Sequence, residues 1–170
     1  MVYKVDKKLV ILTTILLVSS IFFTFSVHLA GFGKPGIMLC SGVVLFILFN
    51  LVVLLSKKIE INDGVICQTT IYGKKDVKIS EIGDIGVVKL RWRIILILSD
   101  PHKFVFISSM YEDFEDFVQY LKDNVTGYVE SLLAPVTAKN IRKKRKFLLM
   151  LILSATAFFT VSGVYNILYR

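Results

Sequence analysis

The sequence predicts an α+β membrane protein: three transmembrane helices plus a small antiparallel β domain closed by a C-terminal amphipathic helix. Three observations carry that expectation. Three long apolar runs are almost free of charge, the basic residues cluster beside those runs, and the hydrophobic period between the second and third runs is that of strands and then of one helix. Of 170 residues 55% are hydrophobic and only 20% charged, with a mean hydropathy of +0.68. A soluble domain is ~45–50% apolar and roughly 25% charged. The excess apolar residues therefore need a solvent other than water.

The first run, Leu9 to Ala30, carries no acid or base except His28. At ~1.5 Å per residue it reaches about 33 Å, enough for a ~30 Å hydrocarbon core. It is longer than the ~7–15 residues of a signal-peptide core, and the one small-x-small candidate has His28 at its first position. An uncleaved span is expected. "GFGKPG" from Gly31 to Gly36 makes a turn. Ile37 to Leu55 is a second span, antiparallel to the first, and Phe147 to Tyr169 is a third. The expected organisation is a tail and helical hairpin over 1–56 (spans about 9–30 and 37–55), a β domain over 57–126, a linker with a basic juxtamembrane segment over 127–146, and a third span over 147–170.

The formal charge of +8 is unevenly placed. Between Lys57 and Ala138 there are ten cations against twelve anions. The surplus lies in Lys4, Lys7 and Lys8, in Lys139, and in the run Arg142, Lys143, Lys144, Arg145, Lys146. Such a distribution orients a membrane protein and does not track a nucleic acid, so no nucleic-acid partner is expected. With three spans, every heavily basic flank falls on one side; only Lys34 and Arg170 lie opposite. The expected location is the bacterial cell membrane, with the N-terminus and β domain cytoplasmic and the C-terminus outside.

The middle region changes period. "KIEINDG" alternates Ile59 and Ile61 with polar neighbours and ends in Asp63-Gly64, a hairpin signal. "VICQTTIYGKKD" reads as a strand ending at a turn around Gly73, and "VKIS" as a short third strand. "GKKD" lacks the glycine and Ser/Thr of a phosphate loop and is expected at a turn tip. In "VVKLRWRIILILSD" Val88, Leu90, Trp92, Ile94, Leu96 and Leu98 share one parity, as a core-facing strand would. The stretch is either one long bent strand or two strands with a tight turn near Arg91-Trp92. Asp100-Pro101 makes a turn and "KFVFIS" a last strand. Phe114, Phe117, Val118, Leu121 and Val125 then recur at helical spacing, after acids that suit a helix start.

A basic strand after a membrane span, Asp63-Gly64, "ISEIGDI" over Ile79 to Ile85, and "FVFIS" before a terminal helix resemble the bacterial PH-like domains of small integral membrane proteins. The resemblance covers roughly Lys57 to Asn124. It implies a seven-stranded barrel, of which five or six strands are countable in the sequence. It carries over no catalytic residue, and it implies a module that acts by binding; the family includes self-immunity proteins against membrane-active bacteriocins.

Chemistry-bearing constellations are absent from the sequence. The two histidines, His28 and His102, are predicted on opposite sides of the membrane, and Cys40 and Cys67 form no metal-ligand spacing. No hydrolase, zinc or P-loop motif occurs. No enzyme activity, cofactor or metal is therefore expected. Thr13, Ser20, Thr24 and His28 near one stripe of the first span, with Asn50 in the second, are expected to hold the helices together by hydrogen bonds of ~0.6–2 kcal/mol each. Binding falls to Lys89, Arg91 and Arg93 on the domain and to Arg142, Lys143, Lys144, Arg145 and Lys146 beside the third span. Either set can meet phosphate headgroups or an acidic partner. The expected partners are membrane lipids, a membrane-protein partner or a second copy of the chain. The alternative function is an accessory subunit of a membrane enzyme or transporter.

Overall fold

The structure is a computed structural model and describes residues 1–169 except 102, 126 and 127. His102 and Arg170 thus lie outside the described residues. The chain divides into two compact units, one of residues 1–6 with 56–148 and one of residues 7–55 with 149–170.

The second unit is helical. Helices α1 (Lys7–Leu29) and α2 (Lys34–Ser56), together with most of α5 (Ala138–Leu168), are each long and apolar enough to cross a membrane. Gly31, at φ 74°, makes the left-handed step between α1 and α2. Among the described residues, the predicted polar stripe makes no cross-helix hydrogen bond. Thr13, Ser20, Thr24 and Asn50 all donate to carbonyls of their own helices. The cross-helix bonds come instead from Thr160 to Ser19 at 3.2 Å and Asn166 to Ser26 at 3.3 Å. A hydroxyl on a helix always has its own i−4 carbonyl within reach, so a stripe by itself does not specify a neighbour.

The first unit is the α+β domain. Its strands are β1 (Val2–Lys4), β2 (Lys58–Asn62), β3 (Val65–Thr70), β4 (Gly73–Lys78), β5 (Asp84–Lys89), β6 (Ile94–Ser99) and β7 (Phe104–Ser108), all paired antiparallel. They form a four-stranded sheet, β1-β2-β3-β4, and a three-stranded sheet, β5-β6-β7. Asp63 and Gly64 both take positive φ, 49° and 75°, giving the mirror-image two-residue turn that matches strand twist. "GKKD" is a correction: it begins β4, and the turn tip is Ile71-Tyr72, because Thr70 pairs with Gly73. The charged outer residues Lys74, Lys75 and Asp76 suit a sheet edge.

β7 and the residues flanking it run across the first sheet in the order β4, β3, β1. Lys103 ion-pairs with Asp76 of β4 at 3.1 Å. The Phe106 carbonyl accepts from Gln68 of β3 at 2.7 Å. Tyr111 bridges Val5, just past β1. Two sheets whose strands cross this way enclose one core, built from Ile59, Ile66, Leu96, Leu98 and Ile107, all at 0% exposure.

The helix α3 (Phe114–Asn124) buries Phe114, Phe117, Val118 and Leu121 as its spacing predicts. A short α4 (Tyr128–Leu133) leads to α5. Two features bear on the expected organisation. The N-terminal residues belong to the β domain, since β1 pairs with β2 and the Met1 amine donates to the Ile61 carbonyl at 2.8 Å. The basic juxtamembrane segment is helical and continuous with the apolar stretch, since α5 starts at Ala138.

Candidate functional site

Of the two readings left open for the stretch from Val88 to Leu98, the structure has the second, two strands joined by a tight turn. Leu90 N–H donates to the Arg93 carbonyl at 2.9 Å, closing a tight turn over Leu90–Arg93. Alternation restarts after it. Ile94, Leu96 and Leu98 are fully buried, whereas Val88 and Trp92, predicted inward on the same parity, are exposed. Lys89, Arg91 and Arg93 consequently share no face. Lys89 ends β5 in solvent, and Arg91 reaches over the Phe147 ring, 5.2 Å from its centroid. Arg93 is half-buried, and its Nε has no hydrogen-bond partner among the described residues.

The five consecutive cations of α5 divide by helical phase. Ile141, Lys144, Arg145 and Leu148 follow i, i+3, i+4, i+7 spacing and turn inward, with Ile141 at 1% exposure. The Lys144 ammonium donates to the Leu90 carbonyl of the β5–β6 turn. Arg145 donates to the Tyr111 carbonyl at 3.0 Å and stands 3.4 Å from the buried Asp6 carboxylate. At that distance Nε is ion-paired but not aligned for a hydrogen bond. On the flank, Arg142 grips Glu115 with two parallel bonds of 2.9 Å. This contact, before the cost of partial burial, holds the Glu115 carboxyl below the usual glutamate range.

What remains outward is a narrower set. Lys139, Lys143 and Lys146 are exposed, lie at i, i+4 and i+7 on the opposite face of α5, and have no ion-pair partner among the described residues. Of the five residues expected to bind, Arg142, Lys144 and Arg145 are engaged within the domain, whereas Lys143 and Lys146 have no ion-pair partner among the described residues. The structure also unites the two predicted basic groups, since the Leu90–Arg93 turn and the first turns of α5 are in contact through Lys144 and through Arg91 with Phe147.

In the sequence Lys57 stands out only as one of the ten cations of the middle region. In the structure it is a partly buried ammonium immediately after α2, and the charge acting on it is a second cation, Arg93. Burial first, then Arg93, holds its pKa below the ordinary lysine value.

No clustering of three or more metal-ligating side chains occurs among the described residues. In the helical unit a recess of roughly 720 Å³ is lined mainly by Phe23, Val27, Phe32, Pro35, Leu39 and Val161, and one of roughly 480 Å³ includes His28. Neither is lined by a carboxylate. Compared with known proteins, the chain matches no family model, no curated protein and no solved structure.

Proposed function

We propose that this chain is a three-span membrane protein whose β domain, PH-like and cytoplasmic, acts by binding anionic lipid headgroups rather than by catalysis. Three helices of membrane-spanning length and apolarity fit the multi-pass arrangement. Sheets of four and three strands followed by an amphipathic helix support the PH-like resemblance. The observation that carries the binding reading is the exposed stripe Lys139, Lys143 and Lys146. It sits on a helix that continues without a break into an uncharged apolar stretch. A cation so close to a span meets the headgroup layer, where each contributes ~1 kcal/mol toward an anionic surface.

The test is lipid selectivity of the full chain. Purified gently from mixed membranes, the protein should carry phosphatidylglycerol or cardiolipin above their bulk fraction. Replacing Lys139, Lys143 and Lys146 by Gln should remove that enrichment at unchanged thermal stability. Bulk lipid composition around the wild-type protein would refute the reading. Sidedness has its own check: a membrane-impermeant thiol reagent should leave Cys67 unmodified in intact cells and modify it after lysis and unfolding.

A further inference from the structure

Two buried polar atoms of the domain remain without a hydrogen-bond partner among the described residues and without an ion pair: Arg93 Nε and Ser108 Oγ. Buried polar groups are normally satisfied, because an unmade bond costs the group's desolvation, ~1–3 kcal/mol and more for a charged one. Their positions are related. Ser108 of β7 pairs with Ile95 of β6, and Arg93 lies two residues before Ile95. Arg93 is therefore diagonal to Ser108 on one side of the sheet, ~7–8 Å away, within reach of a long side chain. The half-buried Lys57 ammonium lies close enough to Arg93 to feel its charge. Arg93 and Ser108, both able to donate, thus share one side of the sheet, with the Lys57 ammonium near enough to Arg93 to be repelled by it.

We propose that Lys57, Arg93 and Ser108 form a receptor for one phosphate-type oxyanion, supplied by an anionic phospholipid headgroup or by free phosphate. An oxyanion offers several acceptor lone pairs at once, so it satisfies Arg93 Nε and the Ser108 hydroxyl while cancelling the Lys57–Arg93 repulsion. Burial and Arg93 depress the Lys57 pKa, and a bound anion raises it back. The position favours a headgroup, since Lys57 directly follows the last residue of α2. This choice of source rests on the membrane reading above. The receptor itself does not, and it is separate from the exposed stripe of α5.

Trp92, the one tryptophan, neighbours Arg93 and is 44% exposed, so its emission reports on the site. Full-length protein in phosphatidylcholine nanodiscs would be titrated with inorganic phosphate, and a parallel series would carry increasing phosphatidylglycerol. Trp92 emission and the thermal midpoint would both be followed. A saturable response is expected, with its midpoint raised about tenfold by Arg93→Gln and by Lys57→Met, the loss of one charge-assisted bond. Lys57→Arg should restore binding. The Gln triple variant at Lys139, Lys143 and Lys146 should respond like wild type even if its lipid enrichment is lost. A response to phosphatidylglycerol alone assigns a headgroup, and one to phosphate a soluble anion. If Arg93→Gln fails to fold, judged by its melting in phosphatidylcholine alone, Lys57→Met decides. Absence of saturation in both series, or wild-type midpoints in the folded variants, overturns the proposal.

Discussion

Arg145→Gln tests how the domain is closed. Its guanidinium stands 3.4 Å from Asp6, donates to the Tyr111 carbonyl, and so joins the start of α5 to the N-terminal strand and to the segment after β7. The side chains are 27% and 9% exposed, so solvent screens the pair only partly. At an effective dielectric of ~20, two charges at that separation attract by about 5 kcal/mol, and desolvation offsets much of it. The bond to a carbonyl from a charged donor adds ~1.5–3 kcal/mol. A net loss of about 3 kcal/mol is expected for Arg145→Gln, within the range for breaking a buried pair. Asp6→Asn should destabilise as well, because it leaves the Arg145 charge without its carboxylate. The assay is reversible unfolding of the full chain in detergent, followed at Trp92, for both single variants and the double. A coupling energy of ~1–2 kcal/mol is expected. Additivity within ~0.5 kcal/mol would show that the pair does not act as a unit and would refute the reasoning.

Further perturbations address the other parts. Glu115 has a depressed pKa through Arg142, so its contribution to stability is full at neutral pH and lost as pH falls below the ordinary value of 4.5. Glu115→Gln should therefore flatten the acid limb of a midpoint-against-pH curve. Phe117→Ala, at a side chain 1% exposed beside the Tyr3 ring, should destabilise the domain by ~3–5 kcal/mol in denaturant unfolding. A Cβ at Gly163 would stand 2.6 Å from the Phe22 ring; Gly163→Leu should therefore cost ~1–3 kcal/mol and lower the melting midpoint of the helical unit. Gly64→Val, at φ 75°, should weaken the β2–β3 hairpin by ~1–2 kcal/mol, whereas Gly64→Asn should cost little.

Much of this architecture was legible because its causes are local. Apolar runs of sufficient length give α1, α2 and the later part of α5, Asp63-Gly64 gives a hairpin by its backbone preference, and the spacing from Phe114 to Leu121 gives an amphipathic helix. Other features were illegible for equally physical reasons. Val2–Lys4 is too short for a period to register, and it becomes a strand only because β2 offers an edge. In the stretch from Val88 to Leu98 no Gly or Asn marks a turn, so the sequence left one bent strand and two strands with a turn near Arg91-Trp92 equally open, and only the Leu90–Arg93 closure decides for the second.

The sequence by itself determined which segments seek hydrocarbon, which alternate as strands, and that cations gather where apolar helices begin. Tertiary structure alone decided which of those cations are occupied. An exposed lysine and a lysine tied to a distant carbonyl have the same local pattern, and an exposed ion pair differs from two solvated charges by only ~0–1 kcal/mol. Partners such as Asp6 for Arg145, Glu115 for Arg142 and the Leu90 carbonyl for Lys144 are set by how β1, α3 and the β5–β6 turn pack against α5, and that packing is driven by burying Ile141, Phe114 and Phe117.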